Sequence, residues 1–304
     1  MAKGRAEAYV ARMTVPVSRS AASALRCTGL ALGLAGGLST PHGATAEPSA
    51  WSTSRFASVR LVDGGPAPAD AAVPPGTLLA GVEIRLAPKF ITYWRNPGDA
   101  GAPPVFDFSG SDNLRDARVL YPAPEKLEEA GSEAFGYRDE VTFPVEVTPK
   151  EAGRPVALAL KLDYAVCSEI CVPVRAETRL ELGAATAAET DAVRGALRTV
   201  PVPRRLGESG PLGIDAVTPG PGGTAHVDAT APAGAVLFAE APEPWYVTAS
   251  AGREEPGGHL GFTLSAPDPR PAGKVPSEPL RLTLTSASGA IDVSVPLDAV
   301  IRKP

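Results

Sequence analysis

A chain of 304 residues with a formal charge of −5 has room for two domains. Its 33 Pro and 31 Gly, against two Met and eight Phe, point to many short strands and turns rather than long helices. The acidic balance gives no electrostatic footprint for nucleic acid, and past the N-terminus no segment approaches the roughly 18 consecutive apolar residues of a membrane span.

The N-terminus reads as an export signal. Arg12, Arg19 and Arg26 precede the apolar run Leu30-Ala31-Leu32-Gly33-Leu34-Ala35-Gly36-Gly37-Leu38, and Ala44-Thr45-Ala46 follows it. A charged region, an apolar region and an A-x-A site make a secretory signal, with cleavage expected after Ala46. The basic region is long, so Met13 is an alternative start. Cys27 leaves with the signal. Residues 1–46 carry five Lys/Arg and one Glu, and their loss takes the formal charge to about −9. The expected product is soluble and stands in an oxidising compartment, where two cysteines can pair or cycle.

Residues 47–75 are rich in Ala, Pro and Ser and hold one strand candidate, Arg55 to Val62. Leu78 to Leu86 alternates apolar with small or charged residues, as a half-buried strand does. Phe90-Ile91-Thr92-Tyr93-Trp94 is a further strand, with a turn expected at Asn96-Pro97-Gly98. Pro104 to Phe108, Ala117 to Tyr121, Val141 to Val147 and Val156 to Asp163 continue the series, spaced by turn residues as in a β-sandwich. Tyr93, Trp94 and Phe106 are expected in its core.

The run from Leu162 to Val174 holds both cysteines of the mature protein, Cys167 and Cys171. In one straight strand their Cα atoms would stand about 13 Å apart. A disulfide needs roughly 4.4–6.8 Å, so the two can bond only if Ser168-Glu169-Ile170 turns the chain back. Two short strands, Tyr164 to Cys167 and Cys171 to Val174, then meet with the sulfurs facing. Closing so small a loop stabilises by only about 2 kcal/mol. A dithiol on a turn suits exchange better than stapling, although a structural hairpin bridge in an exported β-protein remains the alternative. No His lies near the pair in sequence, and zinc wants four ligands or three with an open position, so no metal and no cofactor are expected.

Thr186-Ala187-Ala188-Glu189 has the spacing of a capping box and predicts a helix from about Ala187 to Thr199, stopped by Pro201 and Pro203. Beyond it, strand candidates recur at Ala225–Ala229, Val236–Ala239, Trp245–Ala249, Leu280–Thr285 and Ile291–Val295. His226 and His259 have no evident partner there. No G-x-S-x-G elbow, P-loop or H-E-x-x-H is present. The organisation read from the chain is a signal (1–46), a β-sandwich with the cysteine pair (47–184), a helical linker (185–202) and a second, smaller β-domain (203–304): all-β apart from one short helix.

Three motifs together carry a family likeness: Tyr93-Trp94-Arg95-Asn96-Pro97-Gly98-Asp99, then Gly136-Tyr137-Arg138-Asp139-Glu140-Val141-Thr142-Phe143-Pro144-Val145, then Val166-Cys167-Ser168-Glu169-Ile170-Cys171-Val172-Pro173. They resemble the periplasmic N-terminal domain of DsbD-type thiol:disulfide interchange proteins, over roughly residues 52–184. The chain looks most like the soluble or copper-sensitivity-suppressor branch, where the pair is C-x3-C and a second β-domain follows. The resemblance implies an immunoglobulin-like sandwich in the periplasm whose pair passes electrons to other thiol/disulfide proteins, cytochrome c maturation and copper-handling proteins among them. It implies a protein-disulfide reductase type of oxidoreductase. In the family a membrane-embedded domain re-reduces the pair; no span and no C-x-x-C occur here, so a separate membrane donor is expected.

The family also shields its reduced pair with a cap loop, where an acidic pair precedes an aromatic. Counting back from Tyr137 places Glu128 and Glu129 on the acidic positions, but Ala130 and Gly131 where aromatics would sit, with Phe135 or Tyr137 as substitutes. Cys171 is the expected attacking sulfur and Cys167 the resolving one. Glu169, with Glu128 and Glu129, should raise the thiol pKa and make a slow nucleophile at neutral pH. The competing reading is a non-catalytic exported binding module with a structural disulfide.

Overall fold

Alternation of apolar and polar residues governs the first half of the chain, and it produces eleven strands. The computed structural model describes residues 48–69, 73–99, 101–129, 131–266 and 276–301; the expected signal, residues 1–46, lies outside them. In order the strands are β1 (Ser52–Thr53), β2 (Ala57–Pro66), β3 (Leu78–Leu86), β4 (Ile91–Gly98), β5 (Val105–Asp107), β6 (Leu114–Val119), β7 (Glu125–Glu129), β8 (Ser132–Arg138), β9 (Glu140–Pro149), β10 (Val156–Cys167) and β11 (Cys171–Leu182). One sheet runs β1-β2-β3-β9-β6; the other runs β11-β10-β4-β8-β7, with β5 beside β4 on the same edge of β10. This is an immunoglobulin-like β-sandwich.

β10 shows how the sequence drives the packing. Val156, Leu158, Leu160, Leu162, Tyr164 and Val166 fall at every second position and all enter the core, against Val59, Leu61, Val82, Ile84, Phe143 and Val145 of the facing sheet. Strand expectations either side of Asp163 merge here, because β10 and β11 pair without a break over all twelve positions. Asn96-Pro97-Gly98 forms the irregular end of β4 itself, with Gly98 at φ +82°. The Asn96 side chain accepts from the Gly98 amide, and β4 continues through an irregularity between Tyr93 and Gly98. The segment where a cap loop is expected, around Glu128 and Glu129, folds as the β7–β8 hairpin.

Helix α1 (Ala187–Leu197) forms behind the expected box: Glu189 N donates to Thr186 Oγ1 and Thr186 N to Glu189 Oε2. Its Val193 packs on Val62 and Leu79, where Gly64 leaves space; a Cβ there would stand 2.8 Å from Val193 Cγ1. The helix therefore lies on the outer face of the first sheet.

The second half gives β12 (Val202–Arg204), β13 (Gly213–Pro219), β14 (Thr224–Thr230), β15 (Val236–Glu240), β16 (Thr248–Ala249), β17 (Arg253–Glu255), β18 (His259–Ser265), β19 (Pro279–Ser286), β20 (Gly289–Pro296) and a short α2 (Asp298–Ile301). Sheets β12-β20-β19-β15 and β13-β14-β18-β16, with β17 on β18, enclose a second core around Ile214, Val227, Leu237, Phe262, Leu282 and Val293. Both histidines have neighbours after all: His259 Nδ1 lies 3.0 Å from Asp228 Oδ1, and His226 Nε2 lies 3.4 Å from Glu255 Oε2.

The two cores meet at β15. Its alternation sends Leu237 into the second core and Phe238 into the first, where the Phe238 ring stands 5.7 Å from Trp94 and 5.0 Å from Phe135. Beside it Arg95 grips Glu240 through three N–H···O contacts of 2.7–3.1 Å, reaches Asp292 at 3.2 Å and lies 4.1 Å over the Trp94 ring.

Buried phenols set an alkaline limit on this fold. Burial pushes Tyr164 up to about 12 and Tyr137 well above its ordinary value. A raised folded-state pKa favours the protonated phenol, so this stabilisation is complete below pH about 10 and is lost as the pH climbs through about 12. The melting temperature should start to fall above pH 10. Tyr164→Phe should flatten that fall relative to its own plateau.

Candidate functional site

Sheet parity decides what surrounds the cysteines. Val166 points into the sandwich, so Cys167, one residue on, points out of the opposite face. On β4 the same rule sends Trp94 inward and Ile91 and Tyr93 outward, and on the β7–β8 hairpin it sends Leu127 and Ala134 outward. These five residues, Ile91, Tyr93, Leu127, Ala134 and Cys167, form a small separate cluster. Cys167 is fully buried beneath it.

Cys171 is the residue directly opposite Cys167 in the ladder, after the three-residue turn Ser168-Glu169-Ile170. The close Cα spacing of such pairs, 4.2 Å here, lets the sulfurs bond, with S–S 1.99 Å. The two ends differ sharply: Cys171 is exposed, and Ile170 next to it is 70% exposed.

Two oxygen-bearing side chains close on the bridge. The Tyr93 hydroxyl lies 2.7 Å from Cys167 Sγ and 3.3 Å from Cys171 Sγ, and it donates to Glu129 Oε2 at 2.6 Å. Glu129 Oε1 stands 2.8 Å from Cys171 Sγ. Neither sulfur of a disulfide carries a proton. With Glu129 ionised, that last contact becomes a hydrogen bond once reduction has made the Cys171 thiol. Burial, then the bond to the Glu129 carboxylate, pushes the Tyr93 phenol far above its usual value, so it stays a proton donor.

Tight backbone packing fixes these two groups. Gly136 on β8 sits opposite Tyr93, and a Cβ there would come 2.0 Å from Thr92 O. Gly101, at φ +105°, lies against the Tyr93 ring, where a Cβ would stand 2.2 Å from Cε1. Glycine is required at both.

The expected site residues separate by face. Glu129 lies beside the sulfurs. Glu128 points to solvent, cross-strand from Glu133, and Glu169 is exposed at the turn, where water screens its charge. Phe135 and Tyr137 lie on the inward face of β8 in the sandwich core. The Tyr137 ring packs 5.3 Å from Phe143, and its hydroxyl donates to Pro122 O. The aromatic over the pair is Tyr93. It is fully buried, as a core residue would be, and alternation along Phe90–Trp94 was the available sign that it faces away from Trp94.

Residues 58–182 match the family model described as thiol:disulfide interchange protein DsbD, N-terminal. Among solved structures, the N-terminal periplasmic domain of ScsB from Proteus mirabilis superposes with a TM-score of 0.64 at 22% identity, covering 83% of this chain and 98% of that chain. At this identity the likeness speaks for the fold, and its extent carries it beyond the first sandwich. The N-terminal domain of Neisseria meningitidis DsbD in its reduced form is 20% identical over 38% of this chain and 94% of that one, with a TM-score of 0.21. No curated protein sequence matches the chain. The family match ends at Leu182, the last residue of β11, and so contains the whole cysteine hairpin with Tyr93 and Glu129. Residues 58–182 are a DsbD N-terminal-type domain.

Proposed function

We propose that the protein is a periplasmic thiol:disulfide exchange protein that reduces partner disulfides through Cys171, with Cys167 as the resolving sulfur. The observation that carries the reading is the asymmetry of the bridge: one sulfur exposed, the other buried, and a carboxylate 2.8 Å from the exposed one. In the reduced protein Glu129 takes the proton from the Cys171 thiol. The thiolate attacks one sulfur of the partner disulfide, and the partner's other sulfur leaves as a thiolate and is protonated. Cys167 then loses its proton and attacks Cys171 Sγ. The internal bridge reforms, the partner's second sulfur leaves, and two electrons have passed to the partner. A membrane-embedded donor returns the pair to the dithiol. Cytochrome c maturation and copper-handling proteins are the partners in view.

Cys167→Ser should leave Cys171 able to attack but not to be released, so a covalent complex should accumulate in a periplasmic extract and dissolve with dithiothreitol. Cys171→Ser should trap nothing. The reading fails if Cys171→Ser traps partners instead, or if glutathione equilibration places the bridge below about −300 mV, the range of structural disulfides.

A further inference from the structure

Glu129 is 7% exposed, and among the described residues its contacts are the Tyr93 hydroxyl and Cys171 Sγ, with no Lys, Arg or His paired to it. A buried carboxylate is ordinarily paired with a cation or a metal. Reduction adds two thiols at the same spot, and each becomes a negatively charged donor beside the carboxylate only when it gives up its proton for a cation. Donor atoms of Glu129, Cys167 and Cys171 all lie within 4.8 Å of one another. Two thiolates on a tetrahedral zinc stand about 3.8 Å apart, given Zn–S of about 2.3 Å. Opening the bridge to that distance asks movement mainly of Cys171, at the exposed end of its strand. The C-x3-C spacing falls within the range of zinc ligand pairs. The pair alone is too few for such a site; the β7–β8 hairpin supplies the third donor. Tyr93 holds the second carboxylate oxygen and so orients the first.

We propose that the reduced site, Cys167, Cys171 and Glu129, binds a thiophilic divalent cation of the Zn²⁺ class, with its fourth position open to solvent beside Cys171. A two-electron donor and two protons convert the bridge to two thiols. The cation then displaces both thiol protons. Oxidation of the pair destroys two of the three ligands and releases the ion, so the site exists in one redox state. A bound cation also occupies the sulfur that attacks, and it holds the reduced protein back from exchange. The inference needs the bridge to be reducible, as the exchange reading does, but not that electrons reach any partner.

The test uses the full mature chain, reduced with a phosphine that is then removed without oxygen. Zn²⁺ is titrated against a chromophoric chelator, and Co²⁺ serves as the spectroscopic probe. Reduced protein should bind one Zn²⁺ that the oxidised protein does not, and Co²⁺ should give thiolate charge-transfer bands with tetrahedral d–d intensity. Glu129→Gln, nearly isosteric, should weaken Zn²⁺ about tenfold or more, and Cys171→Ser, at an exposed position, should abolish the redox-dependent site. Asp215, Asp228 and His259 in the second half form another group of possible ligands; they persist in the oxidised protein, which therefore serves as the control for them. Equal binding in both redox states, or Glu129→Gln binding as tightly as the parent, overturns the proposal. Exchange measured separately in chelator keeps the readings apart: activity without redox-dependent Zn²⁺ binding sinks this inference alone, and Zn²⁺ binding without activity sinks only the exchange function.

Discussion

Phe238→Ala should lower the stability of the protein by about 3–5 kcal/mol, the usual cost of truncating a fully buried Phe. The ring is 1% exposed and belongs to the core of the first sandwich although its strand belongs to the second. Its loss leaves a void bounded by Trp94 and Phe135, both fixed on strands hydrogen-bonded elsewhere, so the walls have little freedom to collapse. The effect should reach the site. Trp94 is the neighbour of Tyr93 on β4, and Phe135 lies on β8, opposite Lys126 in the hairpin that carries Glu129. Chemical denaturation should show the lower midpoint, and the reduction potential of the bridge should move with it. Phe238→Leu, which fills most of the space, should recover more than half of the loss. A stability change below about 1 kcal/mol for Phe238→Ala would mean that the two cores are not coupled through this ring.

Arg95→Ala should cost a comparable amount, about 2–4 kcal/mol, for a different reason. Removing one member of a buried ion pair strands the others. Arg95, Glu240 and Asp292 have side chains only 17–19% exposed, and the guanidinium also covers the Trp94 ring. Burial works against the Arg95 charge, but Glu240 and then Asp292 outweigh it and raise its pKa. Without the arginine, Glu240 and Asp292 lose the cation they share while their side chains stay largely covered. A double-mutant cycle separates the terms. Glu240→Gln in the Arg95→Ala background should restore part of the loss, because the cost lies in the unpaired carboxylates. If the double variant is no more stable than Arg95→Ala, the ion pair is not what holds the two halves together there.

The parts of the molecule that were legible in the sequence are those where one local rule acts alone. The period-2 run through β10, the three-residue turn between the cysteines and the capping box at Thr186 each depend on residues within a short window. What was hidden depends on partners far along the chain. Glu125-Lys126-Leu127-Glu128-Glu129 carries no β-branched residue and reads as a loop, yet pairing with Ser132–Arg138 makes it a strand. Asn96-Pro97-Gly98 has turn chemistry, and Gly98 does take φ +82°, but Asn96 Nδ2 donates to Ala239 O, a contact across the two halves that no local pattern announces. Tyr93 was legible as buried and not as part of the site, because burial looks the same whether a ring lies in the main core or over a disulfide. Only the parity of β4 against β10 tells them apart.

The direct opposition of the two cysteines in the ladder has a kinetic consequence. Their Cα atoms lie 4.2 Å apart on two strands paired all the way to the turn. When Cys171 is joined to another protein, its neighbour waits at an effective concentration that for well-oriented groups can be on the order of 10⁵ M or more. Covalent complexes of the native protein should therefore be fleeting, and the cell would hold these adducts for a far shorter time than any variant that lacks the inner sulfur.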